Sequence, residues 1–129
     1  MGLATVHAET VNPRQTWQLL DYIAVDYAGA VQGGKVVAQA EYAEMREFAA
    51  TVRAQLAALP TTPTQPDLIA QADRLTAAVE AKAEAGQVAA AAHQLADALL
   101  KSYPIAAVPS TAPDPARGAP LYAQQCAGC

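Results

Sequence analysis

The 129-residue chain has little positive charge and few aromatic side chains. It holds 8 lysines and arginines against 12 aspartates and glutamates, which gives a net charge of −4, and only 5% of its residues are aromatic. A basic nucleic-acid-binding protein is excluded, because too few cations are present to neutralise a phosphate backbone. A hydrophobic content of 53% with only 16% charged residues also argues against a disordered acidic tail.

Long hydrophobic runs and catalytic groupings are also missing. The longest apolar runs hold about half a dozen residues, far below the ~20 that a membrane-spanning helix needs. The sequence has no Ser/His/Asp grouping and no glycine-rich phosphate loop, and its only two cysteines stand at the C-terminal end. We therefore expect that the chain is not an enzyme.

Alanine, in contrast, is abundant and supplies about half of the hydrophobic residues. It favours helix because its side chain loses no entropy there. Apolar residues recur at spacings of three and four in four segments, which is the pattern of helices with one buried face. Each segment is expected to hold roughly 16–20 residues, or about 25–30 Å of helix. Similar lengths and short links predict an all-α fold, an antiparallel up-down four-helix bundle over residues 12–103.

Proline, glycine and capping residues predict where the helices begin and end. Asn12 is expected to cap helix one, whose apolar stripe continues to Val31 before the glycine pair 33–34 ends it. Helix two is expected to end at Pro60. Helix three is predicted from Thr64, which opens a capping-box pattern with proline in the first turn.

The boundary between helices three and four depends on a single glycine. Gly86 is interpreted as a turn, and one long bent helix is the alternative. Helix four is expected to end at Tyr103-Pro104. Large side chains are few, so the core is predicted to be thin and to consist mainly of the leucines together with Trp17, Leu20, Tyr27, Met45 and Phe48.

Both ends of the chain are predicted to lie outside the bundle. Residues 1–11 are interpreted as the remainder of a secretory signal peptide or as a disordered N-terminus, because Val6-His7-Ala8 has the small-x-small pattern of a cleavage site. Residues 104–117 hold four prolines and no helical stripe, which predicts an extended linker. Residues 118–129 are expected to form a short helix that opens a second domain.

This last segment carries Cys126 and Cys129 at C-x-x-C spacing. Such a pair can be a redox site, half of a zinc site or a covalent haem attachment. A redox site of the thioredoxin type follows a strand, which is not expected here, and His7 and His93, the only histidines, are remote in sequence. Haem attachment requires a histidine directly after the second cysteine. The spacing therefore fits a haem c site whose axial histidine would occupy position 130.

Three glutamates at the start of helix two are candidate iron ligands. Glu41, Glu44 and Glu47 form two overlapping E-x-x-E steps. Residues three apart are neighbours on a helix surface, so two carboxylates can converge on one hard cation such as iron. The alternative is a solvated acidic first turn that favours the helix dipole.

Two further acidic residues, Asp21 and Asp26, stand within helix one although aspartate is a poor helix former. They can bind a cation, bond to Tyr42 or Trp17 across the bundle, or face water.

A polar row is predicted on helix four, where His93, Asp97 and Lys101 are spaced four residues apart. An exposed ladder of this kind contributes a few tenths of a kcal/mol per pair. Metal ligation by His93 is the alternative. A di-iron site of the ferritin type is disfavoured, because its Glu-x-x-His motif is absent.

Several stretches of the sequence resemble a known family. Residues 16–31, TWQLLDYIAVDYAGAV, and residues 41–48, EYAEMREF, look like the N-terminal periplasmic region of bacterial iron permeases fused to a c-type cytochrome. The stretch 116–126, ARGAPLYAQQC, is similar to the junction with the cytochrome in that family. The resemblance covers nearly all of residues 12–129. It implies that a haem domain follows, and then a membrane permease whose helices carry acidic iron-binding motifs.

Two functions are therefore considered. By the resemblance, the bundle is the periplasmic module of an inner-membrane iron permease, and it assists iron uptake together with electron transfer at an adjacent haem c. Its partners are then iron and the downstream cytochrome c and permease domains, with no nucleic acid. The alternative is a non-catalytic interaction or spacer domain that docks a partner through its acidic face.

Overall fold

The computed structural model of the protein describes residues 12–104, which form four α-helices and one short β-hairpin. The helices are α1 (Pro13–Asp26), α2 (Gln39–Ala58), α3 (Gln65–Glu80) and α4 (Ala85–Ser102). The hairpin strands, β1 (Val31–Gln32) and β2 (Lys35–Val36), lie between α1 and α2. The predicted fold class, an antiparallel four-helix bundle, is confirmed. The predicted linker beyond Pro104 and the predicted terminal helix lie outside the described residues.

The first helix begins as predicted but ends earlier. The side chain of Asn12 accepts a hydrogen bond from the backbone N–H of Arg14 at 2.8 Å, and a proline occupies the first turn. The helix ends at Asp26, and one turn of 3-10 helix follows over Tyr27–Gly29. The prediction that helix one continues to Val31 is therefore wrong, although Val31 itself is buried.

The glycine pair, predicted to end helix one, forms the turn of the β-hairpin instead. Gly33 and Gly34 have φ values of 58° and 77°, and they connect strands in which Val31 pairs with Val36. Two successive residues with positive φ match the twist of a tight antiparallel hairpin, which glycine adopts without steric cost. A glycine pair can therefore either end a helix or form the turn of a β-hairpin. Here the short apolar strands on either side of the pair favour the hairpin turn.

The start of α3 does not have the predicted capping box. Thr64 has helical backbone angles, and its side chain does not cap the helix. Its hydroxyl instead lies 2.6 Å from that of Ser102, at the end of α4. The Gln65 side chain donates hydrogen bonds to the carbonyls of Leu56 and Leu59. A tertiary contact and a cap for the preceding helix therefore replace the local box.

The turn between α3 and α4 lies before Gly86, at residues 81–84. Lys82 has a φ of 56° there, and Gly86 lies inside α4 with open space around its α-carbon. The interpretation of Gly86 as the turn is wrong by several residues, and the alternative of one continuous helix is excluded. Lys82 follows the end of α3, where a left-handed residue commonly ends a helix, here without glycine.

The four helices surround one core, and each helix contacts the next along the chain while α4 also contacts α1. Leu20, Tyr27 and Met45 are buried as predicted, whereas Trp17 and Phe48 are only partly buried. Alanines at buried positions such as Ala49, Ala72 and Ala92 allow close approach of the helices. In residues 12–104 every buried side-chain nitrogen and oxygen has a hydrogen-bond partner. None of the helices described is long and apolar enough to cross a membrane.

Candidate functional site

The predicted acidic ligands lie on the surface of α1 and α2. The five residues are Glu41, Glu44, Glu47, Asp21 and Asp26, and all of them are exposed. Within residues 12–104, no group of three or more His, Cys, Asp or Glu side chains is arranged to hold a metal ion. The fold therefore leaves these carboxylates exposed without forming a three-ligand site in advance, and iron binding by an E-x-x-E step stays a prediction.

Three contacts fix the register of α1 against α2. The Thr16 hydroxyl donates to Oε1 of Gln55 at 2.6 Å. The rings of Tyr22 and Phe48 lie 6.0 Å apart between centroids. At the hairpin end, Gly29 lies so close to Glu41 that an added β-carbon would be 3.1 Å from its Oε1.

Continued evenly, this antiparallel register sets Asp26 of α1 level with Glu44 of α2. It also places Glu47 beside the pair of aromatic rings. Asp26 and Glu44, some twenty positions apart in the sequence, thus come to the same level along the seam between α1 and α2. The sequence spacing predicted only the three glutamates as one helical face, because the pairing of the two helices is a tertiary property.

The α1–α2 groove, defined here as the open cleft between these two helices, lies along the same seam and has a volume of about 500 Å³. Its apolar part consists of Leu19, Tyr22 and Phe48, and its polar part includes Gln18, Thr51 and Glu47. The glutamines and the half-exposed tyrosine of the groove were not predicted as functional residues, because they belong to no binding motif in the sequence.

The arginines of α2 face away from the groove. Arg46 pairs with Glu80 at 2.7 Å and Arg53 pairs with Asp73 at 3.0 Å, and both partners belong to α3. Exposed pairs of this kind contribute at most about 1 kcal/mol each to stability. The two ion pairs nevertheless hold the arginines of α2 on the side that faces α3. The carboxylates on the α1 side of α2 are therefore not neutralised by these arginines.

Two tyrosines organise the hairpin end of the bundle. The Tyr27 hydroxyl donates to the carbonyl of Ala83 at 2.8 Å, and the Tyr42 hydroxyl donates to that of Val79 at 2.8 Å. Burial raises the pKa of Tyr27 above its ordinary value of 10.0, with smaller contributions from Tyr42 and Glu84. Both hydroxyls satisfy carbonyls in and next to the end of α3, which explains why the α3–α4 turn is held in place.

A direct bond from Asp21 or Asp26 to Tyr42 is not seen. The Tyr42 hydroxyl is occupied by backbone carbonyls of α3, and the two aspartates are exposed. Facing water is therefore the alternative that the structure shows for them, and cation binding stays a prediction.

The polar row on α4 is exposed as predicted, but its members do not pair with one another. His93, Asp97 and Lys101 are all exposed, and no ion pair or side-chain hydrogen bond joins them in the described part of the chain. The predicted ladder is therefore only an alignment of polar residues. The candidate haem ligands Cys126 and Cys129 lie outside the described residues.

The helical region of the chain matches a known protein family. The sequence model of a family described as "Iron permease-associated 4-helix bundle domain" matches residues 4–106, and so includes all four helices. No match to this chain is found among curated proteins or among solved structures.

Proposed function

The chain belongs to the family of iron permease-associated 4-helix bundle domains, and we propose that it is the extramembrane domain of an iron permease that works in iron uptake. The observation that carries this proposal is the family match, which extends over the whole of the four-helix bundle. The surface chemistry agrees with it, because exposed carboxylates are the ligands that hard cations prefer.

The role we propose for the bundle is to present iron to the permease on the periplasmic side of the membrane. Carboxylates on the α1–α2 seam would hold the ion weakly, in pairs such as Glu44 with Glu47, which lie one helical turn apart. Weak binding suits a carrier surface, since an ion held by a complete three-ligand site is released slowly. The permease domain and the iron ion are thus the partners.

We also propose that Cys126 and Cys129 attach a haem c when a histidine follows them. Haem supplies electron transfer, which would change the oxidation state of the iron that is taken up. The two thiols have the spacing that covalent attachment needs. Covalent haem staining of the whole protein tests this, and loss of the stain in Cys126→Ala is the expected result.

The test of the main proposal is iron uptake by cells that produce the whole permease. We expect Leu95→Asp, which places a carboxylate in the core, to unfold the bundle and to lower the uptake of radioactive iron severalfold. Ala90→Asp, at an exposed position of the same helix, is the matched control and should leave uptake unchanged. Equal uptake with both variants, at equal amounts of protein in the membrane, would contradict the proposal.

Iron binding by the seam is tested separately on the 129-residue chain. Titration calorimetry with Fe²⁺ under anaerobic conditions should show binding that weakens about tenfold in the double variant Glu44→Gln, Glu47→Gln. Asp97→Asn, on α4, removes one exposed carboxylate away from the seam and should leave the affinity unchanged. The absence of binding heat in the unchanged chain would overturn the presentation of iron by this seam.

A further inference from the structure

The α1–α2 groove exposes apolar side chains that the bundle itself does not bury. Tyr22, which lines the groove, is 51% exposed, and Val25, which borders it one turn further along α1, is 66% exposed. Leu19 and Phe48 continue the apolar surface into the groove. Single exposed apolar residues are ordinary on protein surfaces, whereas a contiguous patch with a polar rim marks an interaction surface. Aromatic side chains in particular are enriched where protein partners bind.

The charged side chain that lines this groove is a carboxylate, that of Glu47. On α2, Glu44 lies one helical turn from both Glu47 and Phe48. The chain has no lysine or arginine over residues 15–34. On α2, Arg46 and Arg53 are paired with α3. In the part of the chain that the structure describes, the carboxylates around the groove therefore have no cationic partner.

The charge decides which occupant fits. A second copy of the chain would bring the same carboxylates to the contact, and an anionic lipid surface would be repelled. The ends of this chain are poor complements, because residues 1–11 hold no lysine or arginine and residues 105–129 hold one arginine and one aspartate. A cationic partner with apolar side chains matches both the patch and its rim.

We propose that the α1–α2 groove docks an amphipathic helix of a partner protein whose apolar face is flanked by lysine or arginine. Burial of Tyr22 and Val25 supplies the affinity, as for other helices that lay an apolar face in a groove. The carboxylates of Glu44 and Glu47 orient the helix and speed its association. This inference does not depend on iron binding or on the role in iron uptake, because neither the apolar contact nor the charge complementarity involves a metal ion.

The test uses the 129-residue chain and two synthetic amphipathic helices of about 18 residues, or five turns. Both peptides have the same leucine face, which is flanked by lysine in one and by glutamate in the other. Fluorescence anisotropy should show that the lysine peptide binds and the glutamate peptide does not. Amide NMR spectra should change on addition of the lysine peptide around Leu19, Tyr22, Val25 and Phe48.

Matched variants separate the groove from the rest of the acidic surface. Val25→Ser and Tyr22→Ser should each weaken binding of the lysine peptide about tenfold, which corresponds to about 1.4 kcal/mol. Val37→Ser, at a valine that is 54% exposed outside the groove, should leave it unchanged. Glu47→Lys should weaken binding more than Asp97→Lys, which makes the same change of charge on α4.

Several results would overturn the proposal. One is equal binding of the lysine and glutamate peptides, and another is equal loss in the groove variants and their controls. Spectral changes centred on α3 and α4 would place the binding surface elsewhere. A dimer in analytical ultracentrifugation that Tyr22→Ser dissociates would show that a second copy occupies the groove. Far-UV circular dichroism of every variant confirms that a loss of binding is not a loss of fold.

Discussion

At the scale of single residues, the polar contacts that shape this bundle are few and specific. Gln65 donates to two carbonyls at the end of α2, and Thr16, although fully buried, donates to Gln55. The hydroxyls of Tyr27 and Tyr42 donate hydrogen bonds to carbonyls around the α3–α4 turn. Each contact satisfies a group that would otherwise be left without a partner, at a cost of about 1–3 kcal/mol for a buried one. These residues therefore select the turns that connect the helices.

Tyr27 should make the stability of the bundle depend on alkaline pH. Its pKa is raised in the folded protein by burial, so the folded chain holds the phenol proton more tightly than the unfolded chain does. The contribution of this proton to the free energy of unfolding is complete below about pH 10 and is lost as the pH rises through the higher folded pKa. Urea unfolding between pH 7 and pH 11 measures it.

Tyr27→Phe is the variant that isolates this effect. It should lower the free energy of unfolding at pH 7 by about 1 kcal/mol, because the hydrogen bond to Ala83 is lost. The difference from the unchanged chain should narrow above pH 10. Val25→Ala, at an exposed position of α1, removes no titratable group and is the control, so its difference from the unchanged chain should not vary with pH. A constant difference at every pH would show that Tyr27 does not titrate with folding.

At the scale of elements, the connections differ in how they reverse the chain. The α1–α2 connection uses a 3-10 turn and a β-hairpin, whereas α3 and α4 are joined by four residues with a left-handed lysine. The Lys82 ammonium lies 5.5 Å from the centre of the Tyr42 ring, and the Arg46 guanidinium lies 5.9 Å from it. Cation–π attraction thus helps to hold a lysine in a backbone conformation that glycine normally occupies.

Alanine substitution at two glycines should have opposite effects on stability. Gly34→Ala places a β-carbon on a residue with a φ of 77°, and it should destabilise the protein by about 1 kcal/mol or more. Gly86→Ala, inside α4 with open space at that position, should stabilise it by about 0.5–1 kcal/mol. Thermal unfolding followed by circular dichroism measures both changes. If Gly86→Ala destabilised the chain, Gly86 would belong to a turn after all.

At the scale of the whole molecule, the bundle depends on a small number of large side chains. Alanine occupies several buried positions, so leucines and a few larger residues supply most of the apolar burial. The outward faces differ in charge arrangement. Arginine–carboxylate pairs lie between α2 and α3, and carboxylates without cations lie between α1 and α2. Within residues 12–104, the α1–α2 side thus combines the half-exposed Tyr22 with carboxylates that the arginines of α2 do not neutralise.

A single large-to-small change in this thin core should be costly. Leu95→Ala, at a fully buried position on α4, should lower the free energy of unfolding by about 2–5 kcal/mol through lost burial and the cavity that remains. Leu100→Ala, at a partly buried position on the same helix, should cost less. Urea unfolding of both variants measures the difference, and equal losses would show that the core does not centre on Leu95.

The sequence predicted the helices better than their connections. Periodicity identified buried residues such as Leu20, Met45 and Leu95, because a helix that must bury one face repeats its apolar residues locally. The hairpin at Gly33-Gly34 and the turn at Lys82 were not predicted, since glycine has several uses and a lysine in the left-handed region gives no local signal. Thr64 shows the same limit, because a partner on α4 replaces its predicted local bond.

By itself, the sequence determined that the protein folds as a bundle of four helices with an acidic surface. Helical periodicity, alanine content and charge are local properties of the sequence, so they do not depend on how the rest of the chain packs. Only the tertiary structure decided that Tyr22 faces Phe48, that Glu47 lines the cleft beside them, and that the arginines of α2 face α3. These juxtapositions depend on the rotation and register of packed helices, which the complete core sets and no single segment encodes.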